Sequence, residues 1–283
     1  MSCQSICRIF LGLVATAGIC AAIDGPRSVL VSCQDVTIRI DGPKLWTPSR
    51  IEYKGARMST ESSAYGTVAG FPNVGIIGSA HLDKGREEVL DLQFFVDGAR
   101  ILTPPDRLDC RSFKLVRKSR ILGLDLESTV EVRENRLHET AVVHAAVETP
   151  LDFMYNFMHA WETATSSYLA ETPGGEIVRG DLPDGKEFLR VFYVNREVQW
   201  IAIYNRSLRK GAVSRLVEKP AAGGAVAMLW NCPPAYRKFY LKSFVKQPVP
   251  AGFSGTYKMV TGFFDSAEEH WEAAARKVAA ELK

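Results

Sequence analysis

An alternation of apolar and polar residues with a period of two constrains this chain more than any other feature. Val36-Thr37-Ile38-Arg39-Ile40 alternates in this way and stops at the turn cluster Asp41-Gly42-Pro43. Successive side chains of a strand point to opposite faces, so the pattern predicts a strand with one face buried. The reading repeats downstream. Glu88 to Val96 runs into Asp97-Gly98, a tight-turn dipeptide, and resumes as Arg100 to Leu102. Ser112 to Arg117, Asp125 to Arg133 and Leu137 to Glu148 follow, the last two joined through Glu134-Asn135-Arg136. Phe188 to Val194 and Val198 to Tyr204 read as a hairpin around Asn195-Arg196-Glu197. Ala225 to Trp230, Phe239 to Val245 and Thr256 to Phe264 complete the set. About a dozen strands joined by short turns predict an all-β chain, one large antiparallel sandwich.

The end of the chain departs from this pattern. Residues 265–282 read as an α-helix, with Asp265 or Ser266 as N-cap and Glu268 and Glu269 in the first turn. Trp271, Ala274, Val278 and Leu282 recur at helical spacing, which predicts one face packed on the sandwich. Asn205 to Gly224 reads as a loop carrying Arg206, Arg209, Lys210, Arg215 and Lys219. Such a loop is either a solvated surface or a lip that holds an acidic polysaccharide.

The first residues have another character. Arg8 is the only charge before an apolar run from Ile9 to Ile23, and the small residues Cys20-Ala21-Ala22 close it. This is the layout of a secretory signal over residues 1–22, cut after Ala22, with a single domain over 27–283. The run is shorter than the about 20 residues that span a bilayer, and no later segment is long and apolar enough. The expected location is periplasmic or extracellular. Lipid attachment at Cys20 is the alternative, disfavoured by the bulky Ile19 before it. Cys33, Cys110 and Cys232 lie beyond the signal, too widely spaced for a metal motif. One bridge with one buried thiol, or three buried thiols, both fit. The 35 basic and 32 acidic residues are too evenly balanced for a nucleic-acid partner. The expected partner is a carbohydrate, acidic polysaccharides included, bound by a monomer with no cofactor and no metal.

Two segments carry candidate chemistry. Arg50 to Gly85 is dense in glycine and holds Arg57 and His81; a histidine at a strand end serves as acid or base near neutral pH. In the second, strict alternation puts Tyr155, Phe157, His159 and Trp161 on one face. Aromatic rings in a row suit the apolar side of a pyranose, with His159 reaching a hydroxyl. Glu162 reaches such a site only if the chain bends after Trp161. His144, on the preceding strand, lies where it can join His159, whereas His138 is about 20 Å from His144 along that strand, too far to share a metal. A serine-hydrolase motif is absent. Arg57 is the candidate for holding a negatively charged oxygen, and Trp161 and Tyr155 for stacking.

The order of these features resembles the galactose mutarotase-like supersandwich of aldose 1-epimerases and of domains in polysaccharide lyases and glycoside hydrolases. Gly78-Ser79-Ala80-His81 resembles the approach to the first epimerase histidine, and Tyr155-Asn156-Phe157-Met158-His159 the strand carrying the second. The resemblance implies His81 and His159 as acid and base in an epimerisation or a glycosidic cleavage; Glu162, read from its own segment, is the second-choice base. A non-catalytic glycan-binding or cell-envelope module is the alternative. One departure is clear: the late glutamate base of the epimerases has no counterpart, because Ala225 to Phe264 contains no acidic residue.

Overall fold

The computed structural model describes residues 28–61, 66–79, 81–82, 85–232 and 236–282; the expected signal segment lies outside them. Strands are numbered in chain order and form three sheets. The N-terminal sheet has the order β10 (Arg107–Cys110), β1 (Ser28–Cys33), β2 (Val36–Asp41), β3 (Thr47–Tyr53), β4 (Ala56–Arg57). The largest sheet has ten strands. One half runs β16 (Ile177–Asp181), β15 (Ser167–Glu171), β18 (Trp200–Asn205), β19 (Lys210–Glu218), β22 (Phe253–Asp265). It continues with β13 (Arg136–Ala145), β12 (Leu124–Arg133), β11 (Ser112–Ile121), β8 (Glu88–Val96) and β9 (Ala99–Ile101). The third sheet has seven strands. Its order is β17 (Phe192–Arg196), β20 (Val226–Cys232), β21 (Tyr236–Ser243), β14 (Phe153–Trp161), β5 (Val68–Phe71), β6 (Gly75–Gly78), β7 (His81–Leu82).

Alternation decides how the sheets stack. In β11, Phe113, Leu115 and Ile121 are buried while Lys114, Lys118 and Arg120 are exposed. One face of the ten-stranded sheet packs in a single core against both other sheets, with Tyr257, Met259 and Phe263 of β22 beside Ile38, Leu241 and Trp161. Each such side chain, fully buried, contributes about 1.5–3 kcal/mol. The opposite face of β18, β19 and β22 carries helix α1 (Trp271–Glu281), whose Trp271, Ala275 and Ala279 are buried against Tyr204, Val260 and Phe264. Asp265 and Ser266 do not cap it: no side chain caps the helix, and a 3-10 turn at Glu268–His270 intervenes. Asp265 instead ends β22 and pairs with Lys54 and Lys210.

Two expectations about connectivity are corrected. The segments around Asn195-Arg196-Glu197 are not a hairpin: β17 pairs with β20 in the seven-stranded sheet, and β18 with β15 and β19 in the ten-stranded one. The chain between them crosses from one sheet to the other, burying Val198. A period of two reports burial and is silent about the partner strand. The basic stretch after Asn205 is not a loop either, since Lys210–Glu218 is strand β19 with Ala212 and Val213 buried. Gly211 lets β19 approach: a Cβ there would sit 2.2 Å from the Phe264 ring and 2.7 Å from the Ile203 carbonyl oxygen.

Candidate functional site

Strand β14 decides where the candidate residues go. Its pairing with β21 shifts register between Asn156 and His159, and Phe157 takes a left-handed φ of 56°. A residue inserted into one strand of a pair flips every later side chain to the other face. Tyr155 and Met158 therefore belong to a cluster on the outer face of the seven-stranded sheet, whereas Phe157 and Trp161 enter the core between the sheets. The expected row of Tyr155, Phe157, His159 and Trp161 is split.

The interior set forms a polar island in the core. His159, 3% exposed, bonds through Nε2 to Glu139 Oε2 at 2.8 Å and meets the Trp161 ring edge-on at 4.9 Å. Trp161 is 1% exposed and offers no face to a ligand. Nearby, Arg117 pairs with Glu87 at 2.8 Å, and Thr67 donates to Asn156 Oδ1 at 2.6 Å. Arg117, Glu139, Thr67 and Asn156 line a cavity of about 30 Å³, room for about one water molecule. Gly66 admits the guanidinium, as a Cβ there would lie 2.5 Å from Arg117 Nη2.

The outer face of the seven-stranded sheet holds a different set. His81, on β7, shares a 3.2 Å hydrogen bond between its Nε2 and the Tyr155 hydroxyl. The Tyr155 ring lies 4.7 Å from that of Tyr240. Lys238 of β21 sits among three rings, its Nζ 4.9 Å from Tyr155, 5.1 Å from Tyr240 and 5.7 Å from Trp230. Burial pulls the Lys238 pKa below the ordinary lysine range, with Cys232 opposing, and pushes the Tyr240 hydroxyl up to about 12. Lys242, beyond Tyr240 on the same face of β21, covers the Phe153 ring. Tyr155, Met158, Met228, Lys238 and Tyr240 make a buried floor; His81, Phe153, Trp230, Tyr236 and Lys242 are a half-buried rim. At the sheet edge, half-exposed Phe192 stacks on Trp230 with ring centroids 5.4 Å apart.

The charge of this sheet is one-sided. Its strands contain no aspartate or glutamate. Of their basic residues, Arg237 points inward to Asp184 at 2.7 Å and Arg196 pairs with Glu176 at 2.8 Å. Lys238 and Lys242 lie on the outer face. Such a surface can stack a ring, hold an anion and pass a proton between His81 and Tyr155.

Of the residues expected from sequence, the structure brings His81 and Tyr155 together and separates His159 and Trp161 from them. Arg57 and Glu162 also meet, as an ion pair of 2.5 Å where the chain after β4 crosses the end of β14. Neither residue belongs to the buried cluster of the outer face. His144 is exposed on the opposite face of β13 from Glu139, so it does not join His159. Lys238, Tyr240 and Trp230 were missed. Their signal was present: Tyr236, Lys238, Tyr240 and Lys242 alternate on one face of a strand without acids.

No protein-family model matches the chain, and no curated protein matches it by sequence. Solved structures do. A galactose mutarotase-like protein from Lactobacillus casei aligns over 84% of this chain and 100% of its own, at 8% identity and a TM-score of 0.53. The Slr1438 protein from Synechocystis aligns over 87% and 97%, also at 8% identity and 0.53. A galactose mutarotase-like protein from Clostridium acetobutylicum aligns over 84% and 95%, at 8% identity and 0.50. At such identity the likeness concerns the backbone, and it bears out the resemblance read from the sequence: the chain has the galactose mutarotase-like fold, a large antiparallel sandwich closed by a C-terminal helix.

Proposed function

We propose that this is an exported carbohydrate-active protein that binds an acidic saccharide on the outer face of the seven-stranded sheet. The observation that carries the reading is Lys238, an ammonium within 4.9–5.7 Å of three aromatic rings on a sheet whose strands lack any carboxylate. A cation in that setting attracts a uronate or sulfate, while Trp230 and Tyr240 stack on the apolar side of the ring. His81 and Tyr155 are the proton-transfer pair. They take a proton from a sugar hydroxyl, or from the carbon beside a uronate carboxylate that Lys238 and Lys242 neutralise, and return it to a leaving oxygen. The names of the fold neighbours, galactose mutarotase-like proteins, favour a sugar ligand in general. The missing carboxylate base disfavours mutarotation of the epimerase kind.

Calorimetric titration with oligogalacturonate and with neutral galactose oligomers of equal length tests this. The acidic oligomer binds, salt weakens it, and the neutral one does not bind. Lys238→Met weakens acidic binding about 10–100-fold, the loss of one charge-assisted hydrogen bond, without lowering the melting temperature, because it removes a buried charge. Equal affinity for both oligomers, or unchanged binding by Lys238→Met, overturns the site. Product analysis by mass and ultraviolet absorbance then judges catalysis. Turnover that survives both His81→Ala and Tyr155→Phe refutes the proton-transfer pair, and binding without any product reduces the protein to a glycan-binding module.

A further inference from the structure

The N-terminal sheet contains an arrangement that the sugar-binding reading does not use. We propose that Cys33 and Cys110 form a disulfide that joins the neighbouring strands β1 and β10 of the N-terminal sheet and closes a 77-residue loop. The two residues are 77 positions apart, yet they stand directly opposite each other on β1 and β10, a parallel pair. Their sulfurs are 2.9 Å apart. Adjacent strands lie about 4.8 Å from each other, inside the Cα separation of about 4.4–6.8 Å that a disulfide spans. No backbone movement is needed to bring the sulfurs to bonding distance.

The position gives the bond a structural consequence. β10 pairs with β1 along four residues, and two residues past Cys110 the chain enters β11 of the ten-stranded sheet. A bond at this point ties β1 to the edge strand β10, from which the chain runs on into the largest sheet. It encloses β2 to β9, among them the strand bearing His81. The outcome is a covalent brace along the edge of the N-terminal sheet.

The chemistry needs an oxidant, which for an exported chain is a small-molecule or protein disulfide. Cys33 is 1% exposed and Cys110 is half-buried, so Cys110 is the sulfur that an outside reagent reaches. Its thiolate attacks the oxidant, forming a mixed disulfide and releasing one thiolate. Cys33, deprotonated, then attacks the Cys110 sulfur and expels the second. Two protons leave the protein, and the oxidant gains two electrons and becomes two thiols. Burial pushes both thiol pKa values up, Cys33 strongly, so closure speeds up as pH rises.

Peptide mapping of the full chain, expressed through an oxidising secretory compartment and alkylated without reductant, tests the assignment. Trypsin releases Cys33 in residues 28–39 and Cys110 in residues 108–111. The expected result is one linked pair of these peptides, with Cys232 alkylated. Recovering both peptides singly and alkylated after exposure to excess oxidised glutathione overturns the proposal, as does a bridge from either cysteine to Cys232. Cys110→Ser provides a second measurement. Its melting temperature falls about 10 °C, as opening a loop of this length predicts, and matches that of the reduced wild type. An identical melting temperature for oxidised, reduced and substituted protein refutes the brace. Neither outcome touches the saccharide site, which lies on another sheet.

Discussion

Replacing Glu87 by glutamine asks whether charge pairing holds the interior of the sandwich. The Glu87 and Arg117 side chains are 0% and 2% exposed and lie 2.8 Å apart. Glu87 also accepts hydrogen bonds from Ser119 at 2.6 Å and from Ser79 at 3.2 Å, so its carboxylate is fully engaged. Glutamine preserves its shape, removes its charge and turns one acceptor oxygen into an NH2 donor. Burial pulls the Arg117 pKa down and Glu87 holds it up; a guanidinium remains charged in any case. Glu87→Gln therefore leaves a buried cation without its counter-ion, a cost of about 3–5 kcal/mol. In a domain of this size each kcal/mol moves the melting temperature about 2–4 °C, so the fall is about 6–20 °C. Adding Arg117→Met removes the stranded charge and restores most of the loss. Thermal and urea unfolding of the wild type, both single variants and the double variant give the coupling energy. A Glu87→Gln protein within about 1 kcal/mol of the wild type would refute the reasoning, and so would a double variant as unstable as the two singles summed.

Two further outcomes can be measured. Phe157 is buried with φ at 56°, a conformation that favours glycine. Phe157→Ala should cost about 3–5 kcal/mol, while Phe157→Gly, which leaves the larger hole, should cost less by about 1 kcal/mol; the reverse order in urea melts counts against the bulge. His138 gives a pH dependence. Burial, and after it Arg133, lowers the His138 pKa, so the folded chain stays neutral where the unfolded chain takes up a proton. That difference costs stability as pH falls below about 6.5, the unfolded value. His138→Gln should flatten the dependence of the urea midpoint between about pH 6.5 and 5; an unchanged slope argues against a depressed His138.

Much of the fold was legible because burial and turns are local properties. The runs ending at Asp41, at Asp97-Gly98 and at Glu134-Asn135 are strands in the structure, and the C-terminal helix lies where its spacing places it. Short edge strands carry little signal. Ile177–Asp181 and Arg107–Cys110 are edge strands with few buried side chains, and an edge leaves little alternation in the residues. The candidate site was legible only in part. His81 and Tyr155 were singled out separately, and their hydrogen bond depends on β14 and β7 lying in one sheet with β5 and β6 between them.

From the amino acids alone follow the all-β class, the helix that closes the chain, and the acid-free stretch that makes one sheet basic, because each is written in residue type and near-neighbour spacing. Tertiary structure alone decided which side of that sheet every aromatic faces. A single extra residue at Phe157, a position where the side chain opposes the backbone it adopts, turns His159 and Trp161 into the core and leaves Tyr155 outside. Only the pairing of β14 with β21 imposes that insertion, since no residue type in the strand encodes it.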